Sequence, residues 1–387
     1  MTPGARIAAA IDILDAITAG AAAEQALTQW ARRSRFAGAK DRAAVRDHVF
    51  DALRRWRSAG AAGGGQSGRA VMIGLLREDG TDPAQLFTGE RHAPEPLSHD
   101  EAQVPEPTPA RGVRWNLPDW LLPEFAESLG AHAEATAQAL QSRAPVTLRV
   151  NLRKASRAEA QDALQAEGIL CAPNPLCATA LTVTEGARRV KQSAPFAQGW
   201  IELQDAASQA VVAALPSGAR CLDYCAGGGG KALAMAADGR TTFAHDIDAG
   251  RMKDLPSRAQ RAGAAIRLLD RAGLEQERPF DVVLCDAPCS GSGAWRRAPH
   301  GKWTLTPERL AELTAVQDSI LDTAKDLVGA GGHLVYATCS VLRRENEDRI
   351  AAFLAGHNGW FCRLEQRFDI QQHGDGFFTA HLTRVKL

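Results

Sequence analysis

Two short stretches of this 387-residue chain place a thiol where chemistry is expected. Asp286-Ala287-Pro288-Cys289-Ser290 follows the apolar run Phe280 to Leu284, and Thr338-Cys339-Ser340 follows His333 to Ala337. A third stretch, Cys225-Ala226-Gly227-Gly228-Gly229-Gly230-Lys231, sets four glycines before a lysine. A thiolate is a nucleophile, and a carboxyl beside it can hold or move a proton. Glycines permit a tight backbone path and close approach of an anionic ligand. Cys171, Cys177, Cys221, Cys362 and Cys285 read as small buried hydrophobes, the ordinary state of a free cysteine. Cys221/Cys225 and Cys285/Cys289 are spaced C-x3-C with no second pair or histidine pair in zinc spacing, so no metal is expected.

The elements that must carry these residues follow from periodicity. From about residue 196, short apolar runs alternate with helical pattern: Arg220 to Tyr224, Thr242 to Asp246, Ala265 to Leu269, Phe280 to Asp286 and His333 to Thr338. That alternation predicts a doubly wound α/β parallel sheet. In such a sheet ligands bind beyond the carboxyl ends of the strands, so Asp286, Cys289 and Cys339 are expected to converge near the glycine turn. The turn is no Walker A loop, because Cys225 stands where its first glycine belongs and Ala232 where Ser or Thr would hold magnesium. Gly227 to Ala232 does satisfy G-x-G-x-x-A, and Asp246 ends the next strand where a ribose-binding carboxylate is expected. By itself this admits NAD, FAD or S-adenosylmethionine.

One chemistry uses a carboxyl and two thiols beside such a cofactor. Carbon 5 of cytosine is too poor a nucleophile to take a methyl group directly, whereas a thiolate adding at carbon 6 makes it an enamine carbon. An acid at Asp286, if its pKa is raised, would stabilise the charge developing at N3. A second thiol can assist resolution once the carbon 5 proton has left.

At these residues the chain resembles the Nop/Sun family of RNA (cytosine-5)-methyltransferases, closest to its bacterial 16S rRNA branch of the Sun/RsmB type. The marks run in order: Gln204-Asp205-Ala206-Ala207-Ser208-Gln209, the glycine turn, Asp246-Ile247-Asp248 with Arg251, Asp286 to Ser290, Arg296-Arg297 with Lys302-Trp303, Thr338-Cys339-Ser340-Val341-Leu342 with Glu345-Asn346-Glu347, and Gly374-Asp375-Gly376-Phe377-Phe378. The resemblance implies a Rossmann-like class I methyltransferase domain in which Cys339 is the nucleophile and Cys289 helps release product. It further implies that Cys225, Ala226, Gly227, Gly228, Gly229, Gly230 and Lys231 wrap the methionine part of S-adenosylmethionine. Asp246 would hold the ribose, Arg251 would belong to the same cofactor set, Asp270 would lie near the adenine, and Asp286 would sit between cofactor and cytosine. DNA cytosine methyltransferases take the nucleophile from the Pro-Cys loop, so the assignment of the two cysteines comes from the family alone. The family turn is usually Cys-Ala-Ala-Pro-Gly-Gly-Lys-Thr; here Gly227, Gly228 and Ala232 replace Ala, Pro and Thr, which loosens it. Lys231 is a candidate for the base that removes the carbon 5 proton, or else a structural member of the turn.

Upstream, Ile7, Ile11, Leu14 and Ile17, and again Val45, Val49, Leu53 and Trp56, recur at helical spacing. These predict a helical domain over 1–77, which weakly resembles the NusB-like RNA-binding domain of bacterial family members. Residues 30–60 hold nine Arg and Lys against three Asp, a net +6 suited to phosphate contact or to a solvated helix face. Residues 78–110 hold eight acidic residues against one basic, with Pro83, Pro94, Pro96, Pro105, Pro107 and Pro109, and predict an acidic extended linker over 78–114. The alternating run Val146 to Leu152 and a helix capped by Ser156 predict a small α+β RNA-binding segment over 115–195, ahead of the methyltransferase domain over 196–387.

The hydrophobic share of 45% and charged share of 23% exclude wholesale disorder, and no leader or membrane-spanning run is read, so a cytoplasmic monomer is expected. The expectation is an S-adenosylmethionine-dependent 16S rRNA (cytosine-5)-methyltransferase with RNA as partner and neither metal nor membrane. Its rivals are methylation of tRNA or another RNA, a non-catalytic RNA-binding assembly factor with a decayed cofactor turn, and NAD-dependent oxidoreduction, which the glycine pattern alone supports.

Overall fold

The computed structural model describes residues 1–103, 105–106, 110–370 and 373–384, and the chain divides into two compact units. Pro107 and Pro109, counted above in the linker, lie outside the described residues. The first unit comprises 1–126, 130–143 and 295–305. Helices Pro3–Thr18, Ala23–Arg33, Ala39–Arg54, Trp56–Gly63 and Gly68–Glu78 enclose a core that includes Ile7, Leu14, Val45, Val49 and Leu53. Thr2 caps the first helix through the Ala5 amide ahead of Pro3.

Residues 78–103 are laid along this unit rather than held out as a free spacer. Phe87 is buried in the helical core, and Arg69 grips Glu101 through the Nε and Nη2 edge of its guanidinium at 2.7 and 2.9 Å, which holds that carboxyl down at about 2. An acidic segment meeting arginines, with one aromatic to bury, has reason to dock. The helical unit also extends past residue 115, so its border differs from the one read in the sequence.

The segment Trp295–Leu305 belongs to this first unit although the chain on either side of it belongs to the second. It clasps the end of helix Ala39–Arg54. Lys302 Nζ donates to the Arg54 carbonyl at 2.7 Å, Trp303 Nε1 donates to the Leu53 carbonyl at 2.7 Å, and Arg54 Nε donates to the Arg296 carbonyl at 2.8 Å. The last carbonyls of a helix have no partner within it, and these donors supply one.

In the second unit, β1 (Val146–Val150), β2 (Leu170–Pro173), β3 (Ala180–Glu185) and β4 (Ile201–Leu203) form an antiparallel sheet in the order β2-β3-β1-β4. Helix Arg157–Ala166, capped by Ser156 in a reciprocal box with Glu159, accompanies it.

The large sheet runs β10 (Trp360–Phe368), β11 (Phe377–Arg384), β9 (Val328–Thr338), β8 (Phe280–Asp286), β5 (Arg220–Asp223), β6 (Thr241–Ala244), β7 (Ile266–Leu268). Five strands, β9 to β7, are parallel; β11 enters antiparallel to both neighbours, so the sheet is mixed where the sequence reading had it parallel. Alternate residues serve two faces, Leu222, Val283, Leu334 and Tyr336 on one and Cys221, Val282, Leu284 and Val335 on the other. The chain starts at β5 and builds outward in both directions, so the point where connections diverge lies between β5 and β8. Cys177, Cys221 and Cys285 are buried as expected, whereas Cys171 and Cys362, on β2 and β10 at sheet edges, are only half-buried. Among the described residues no helix is long and apolar enough to cross a membrane.

Candidate active site

The carboxyl ends of β5, β6, β8 and β9 bring the sequence motifs together at that divergence point, where a doubly wound sheet leaves its crevice. β5 runs into the glycine turn and helix Gly230–Ala237. Gly229, at φ +79, follows a left-handed path that strains any other residue, and a Cβ there would push Leu255, whose Cδ1 lies 2.3 Å away. The Gly227 amide donates to Asp246 Oδ2 at 2.8 Å, tying the turn to the end of β6. Arg251 lies over the same carboxylate at 3.1 Å, so Asp246, with a side chain 1% exposed, is covered. Asp270 stands exposed after β7, where it accepts from the Gly273 amide at 2.7 Å and caps helix Arg271–Glu277.

Lys231 is buried and its Nζ lies 2.6 Å from Asp286 Oδ2. Burial alone would pull this ammonium's pKa down, but Asp286, and further off Asp223 and Cys339, outweigh it and raise it. A lysine so held keeps its proton, which suits an electrostatic role and not that of a free base. The sequence reading asked for a proton on Asp286; the proton nearest that carboxyl is held on Lys231.

The two thiols, fifty residues apart in sequence, are 3.5 Å apart, sulfur to sulfur. The hydrogen bond between the two sulfurs, which either can donate, together with burial raises the Cys289 thiol well above the ordinary range. The loops are locked to each other. Glu345, fully buried, accepts from the Ser290 amide at 2.7 Å, from Ser290 Oγ at 2.5 Å and from Ser340 Oγ at 2.5 Å. Gln317 Nε2 donates both to the Pro288 carbonyl at 2.9 Å and to Glu345 at 3.2 Å. Asn346 takes the Thr338 hydroxyl at 2.6 Å and donates to the Ser340 carbonyl at 2.9 Å. The closing glycine motif serves the same purpose: Gly293 donates to the Cys339 carbonyl and accepts from the Gly376 amide, and a Cβ on Gly293 would strike the Gly376 carbonyl at 2.0 Å. Glu345 and Asn346 were visible in the sequence as motif members but without a role.

Asp223, the last residue of β5, carried no expectation. It is 1% exposed, neither oxygen makes a hydrogen bond of ordinary geometry, and burial with the nearby Asp286 charge pushes it up to about 7, although the Ala232 amide partly offsets its isolation. A buried carboxyl left so short of donors beside a glycine turn suits a ligand that brings a cationic amine.

A doubly wound sheet of this strand order, with one antiparallel strand set between its last parallel strand and the edge, a glycine turn after its first strand and an acid after its second, has the fold of a class I methyltransferase. Comparison with known proteins narrows the class. Residues 210–383 match the family described as 16S rRNA methyltransferase RsmB/F, and residues 117–190 match the ferredoxin-like domain of RsmF/B-like methyltransferases. The ribosomal RNA small subunit methyltransferase B of Citrobacter koseri is 36% identical over 289 residues, 70% of this chain and 67% of that protein. The crystal structure of PH0851 shares the fold with TM-score 0.76 at 22% identity over 99% of both chains. A methyltransferase homologue from Pyrococcus horikoshii does so with TM-score 0.62 at 23% identity over 71% of this chain and 97% of that one. The chain belongs to the RsmB/F family of RNA methyltransferases, as the ordered motifs had implied.

Proposed function

We propose that the protein methylates carbon 5 of a cytidine in 16S rRNA, with S-adenosylmethionine as methyl donor. The observation that carries this reading is the thiol pair of Cys289 and Cys339 at 3.5 Å, on the strand ends that also present the Lys231–Asp286 ion pair. The glycine turn and the isolated Asp223 fit the donor's methionine part, whose amino group would relieve the buried carboxyl. Asp246 would take the ribose hydroxyls once Arg251 swings off it, and Ile247, an apolar side chain 98% exposed, would be covered by the flat adenine. Asp270 borders the same end of the sheet. When bound, the donor supplies a methyl group on a sulfonium.

The chain's own residues do the rest. Cys339, as thiolate, adds to carbon 6 of the cytosine, and electron density moves through the ring to N3. Asp286 would face that nitrogen; as the charge develops, Lys231 passes its proton to one oxygen of Asp286 and the carboxyl donates to N3, and the proton returns to Lys231 when the adduct collapses. After carbon 5 has taken the methyl group, its proton leaves to a base and the carbon 6 to sulfur bond breaks, returning the pair of electrons to Cys339. Cys289, which keeps its proton next to that sulfur, steadies the departing thiolate. Because the target face of a base in a helix is stacked away, the substrate is an unpaired or extruded cytidine.

The test is incubation with unmethylated 16S rRNA and methyl-labelled S-adenosylmethionine, then mapping of 5-methylcytidine. Label at one cytidine of 16S rRNA is expected. Label confined to tRNA would replace the substrate, and absence of both label and donor binding would overturn the enzymatic reading.

A further inference from the structure

Four consecutive glycines, Gly227 to Gly230, give the turn after β5 a backbone with little intrinsic restraint, and a binding turn that is ordered only by its ligand binds that ligand more weakly. The surrounding domain restrains most of it. Gly227 is tied to Asp246, the Gly229 amide donates to the Ala226 carbonyl at 2.7 Å, and Gly230 opens the helix Gly230–Ala237. Gly228 is the exposed member of the four. Its carbonyl accepts from Arg258 Nη1. A Cβ built on Gly228 would lie 3.1 Å from that same nitrogen, closer than side-chain carbons ordinarily come, so the bare glycine leaves room for the guanidinium.

Arg258 is itself anchored. It sits on helix Leu255–Ala262, three residues after Leu255, so one face of that helix delivers both the side chain beside Gly229 and the side chain that bonds Gly228. Its Nη2 lies 3.4 Å from Glu202 Oε1, and Glu202, buried on β4, also takes Arg261 Nη2 at 2.6 Å. A buried carboxylate shared by two guanidinium groups is a firm anchor. The planar fork of arginine suits a hold with two ends, one nitrogen on the carboxylate and the other on the carbonyl. Through this one side chain the small antiparallel sheet reaches the glycine turn.

We propose that Arg258 is a positioning residue for the methyl donor: anchored on Glu202, it fixes the Gly228 carbonyl so that the turn has its binding shape before the donor arrives. The proposal rests on the glycine turn being the donor site. The loss of backbone freedom then does not fall on the binding step, and donor affinity is higher for it.

Full-length protein carrying Arg258→Met, Arg258→Ala or, as comparison, Arg261→Ala is measured in two ways. Amide hydrogen exchange of the free protein follows peptides covering Cys225 to Lys231, and calorimetry follows binding of S-adenosylmethionine and of S-adenosylhomocysteine. Methionine keeps an unbranched stem for packing while removing the donors, so the proposal stays testable if the alanine variant unfolds. Both Arg258 variants are expected to speed exchange in the turn and to weaken donor binding by about tenfold or more, the order of one lost hydrogen bond from a charged group. Because the hold acts on donor binding, kcat at saturating donor and KM for RNA should stay as they are. Arg261 bonds the same carboxylate and covers the Phe196 ring, 4.2 Å from its centre. Arg261→Ala is expected to lower the unfolding midpoint and to leave exchange in the turn and donor affinity unchanged. Unchanged donor affinity in the Arg258 variants, or an equal loss in Arg261→Ala, would overturn the proposal. If the unsubstituted protein binds neither compound while Arg258→Met still speeds exchange in the turn, the donor reading fails and the hold on Gly228 stands.

Discussion

Cys289 and Cys339 stand sulfur to sulfur at 3.5 Å, and the proposed mechanism gives them different tasks. The hydrogen bond to Cys339 and burial raise the Cys289 thiol, which suits the member of the pair that stays protonated, and the family motif gives Cys339 as the nucleophile. Cys339→Ala should therefore lower methyl transfer by roughly four orders of magnitude or more, as loss of a nucleophile does, while calorimetry still registers donor binding. Cys289→Ala should leave addition intact and slow release, so protein accumulates covalently on RNA and migrates slowly on denaturing gels. The reverse pattern would exchange the roles. Asp286, Cys289 and Cys339 were legible in the sequence because each follows an apolar run that could only be a strand. Asp223 was not, since an acid ending a strand announces nothing until its lack of donors is visible.

Loops that carry chemistry need an element to hold them, and here it is a buried carboxylate. Glu345 binds the Pro-Cys loop across 55 residues of sequence and the Thr-Cys loop across five. Removing it takes the shared acceptor from the half-buried Ser290 and the buried Ser340, a loss of about 2–4 kcal/mol for a network of this kind. Glu345→Ala should lower the unfolding midpoint and depress kcat more than it raises KM for RNA, because the thiols would no longer be held in register. The five parallel strands and the glycine turn were predictable from short apolar runs. The antiparallel insertion of β11 was not, because it depends on pairing with β9 that local pattern does not encode. The docking of residues 78–103 was obscured for the same reason: a proline-rich acidic segment reads as a spacer until its partners, Arg69 and the helical core, are seen.

Across the whole molecule, the chain leaves the catalytic unit after Ala294 and returns at Thr306, having delivered Lys302 and Trp303 to the helical unit. Lys302 is completely buried, and burial first, with the Arg54 charge second, pushes it down to about 7. Between about 7 and the ordinary 10.5 the unfolded chain binds the proton that the folded chain releases, so stability rises with pH across that window. The slope this one group can contribute is about 1.4 kcal/mol per pH unit. Lys302→Met should remove it: denaturant midpoints of the unsubstituted protein should climb from pH 7 to 9 relative to those of the variant, and parallel curves would refute the assignment. Lys302-Trp303 was recognisable as a motif, but its partner carbonyls lie some 250 residues earlier, beyond the reach of any local pattern.

The account turns on which sulfur bonds to the base. RNA bearing 5-fluorocytidine at the target position arrests the reaction after addition, because fluorine at carbon 5 does not leave as a proton does. After incubation with S-adenosylmethionine, trypsin separates the two cysteines into different peptides, since Arg296 and Lys325 lie between them. Mass spectrometry should find the nucleotide on the peptide containing Cys339. A nucleotide on the peptide containing Cys289, or no adduct from a protein that binds both RNA and donor, would contradict the mechanism.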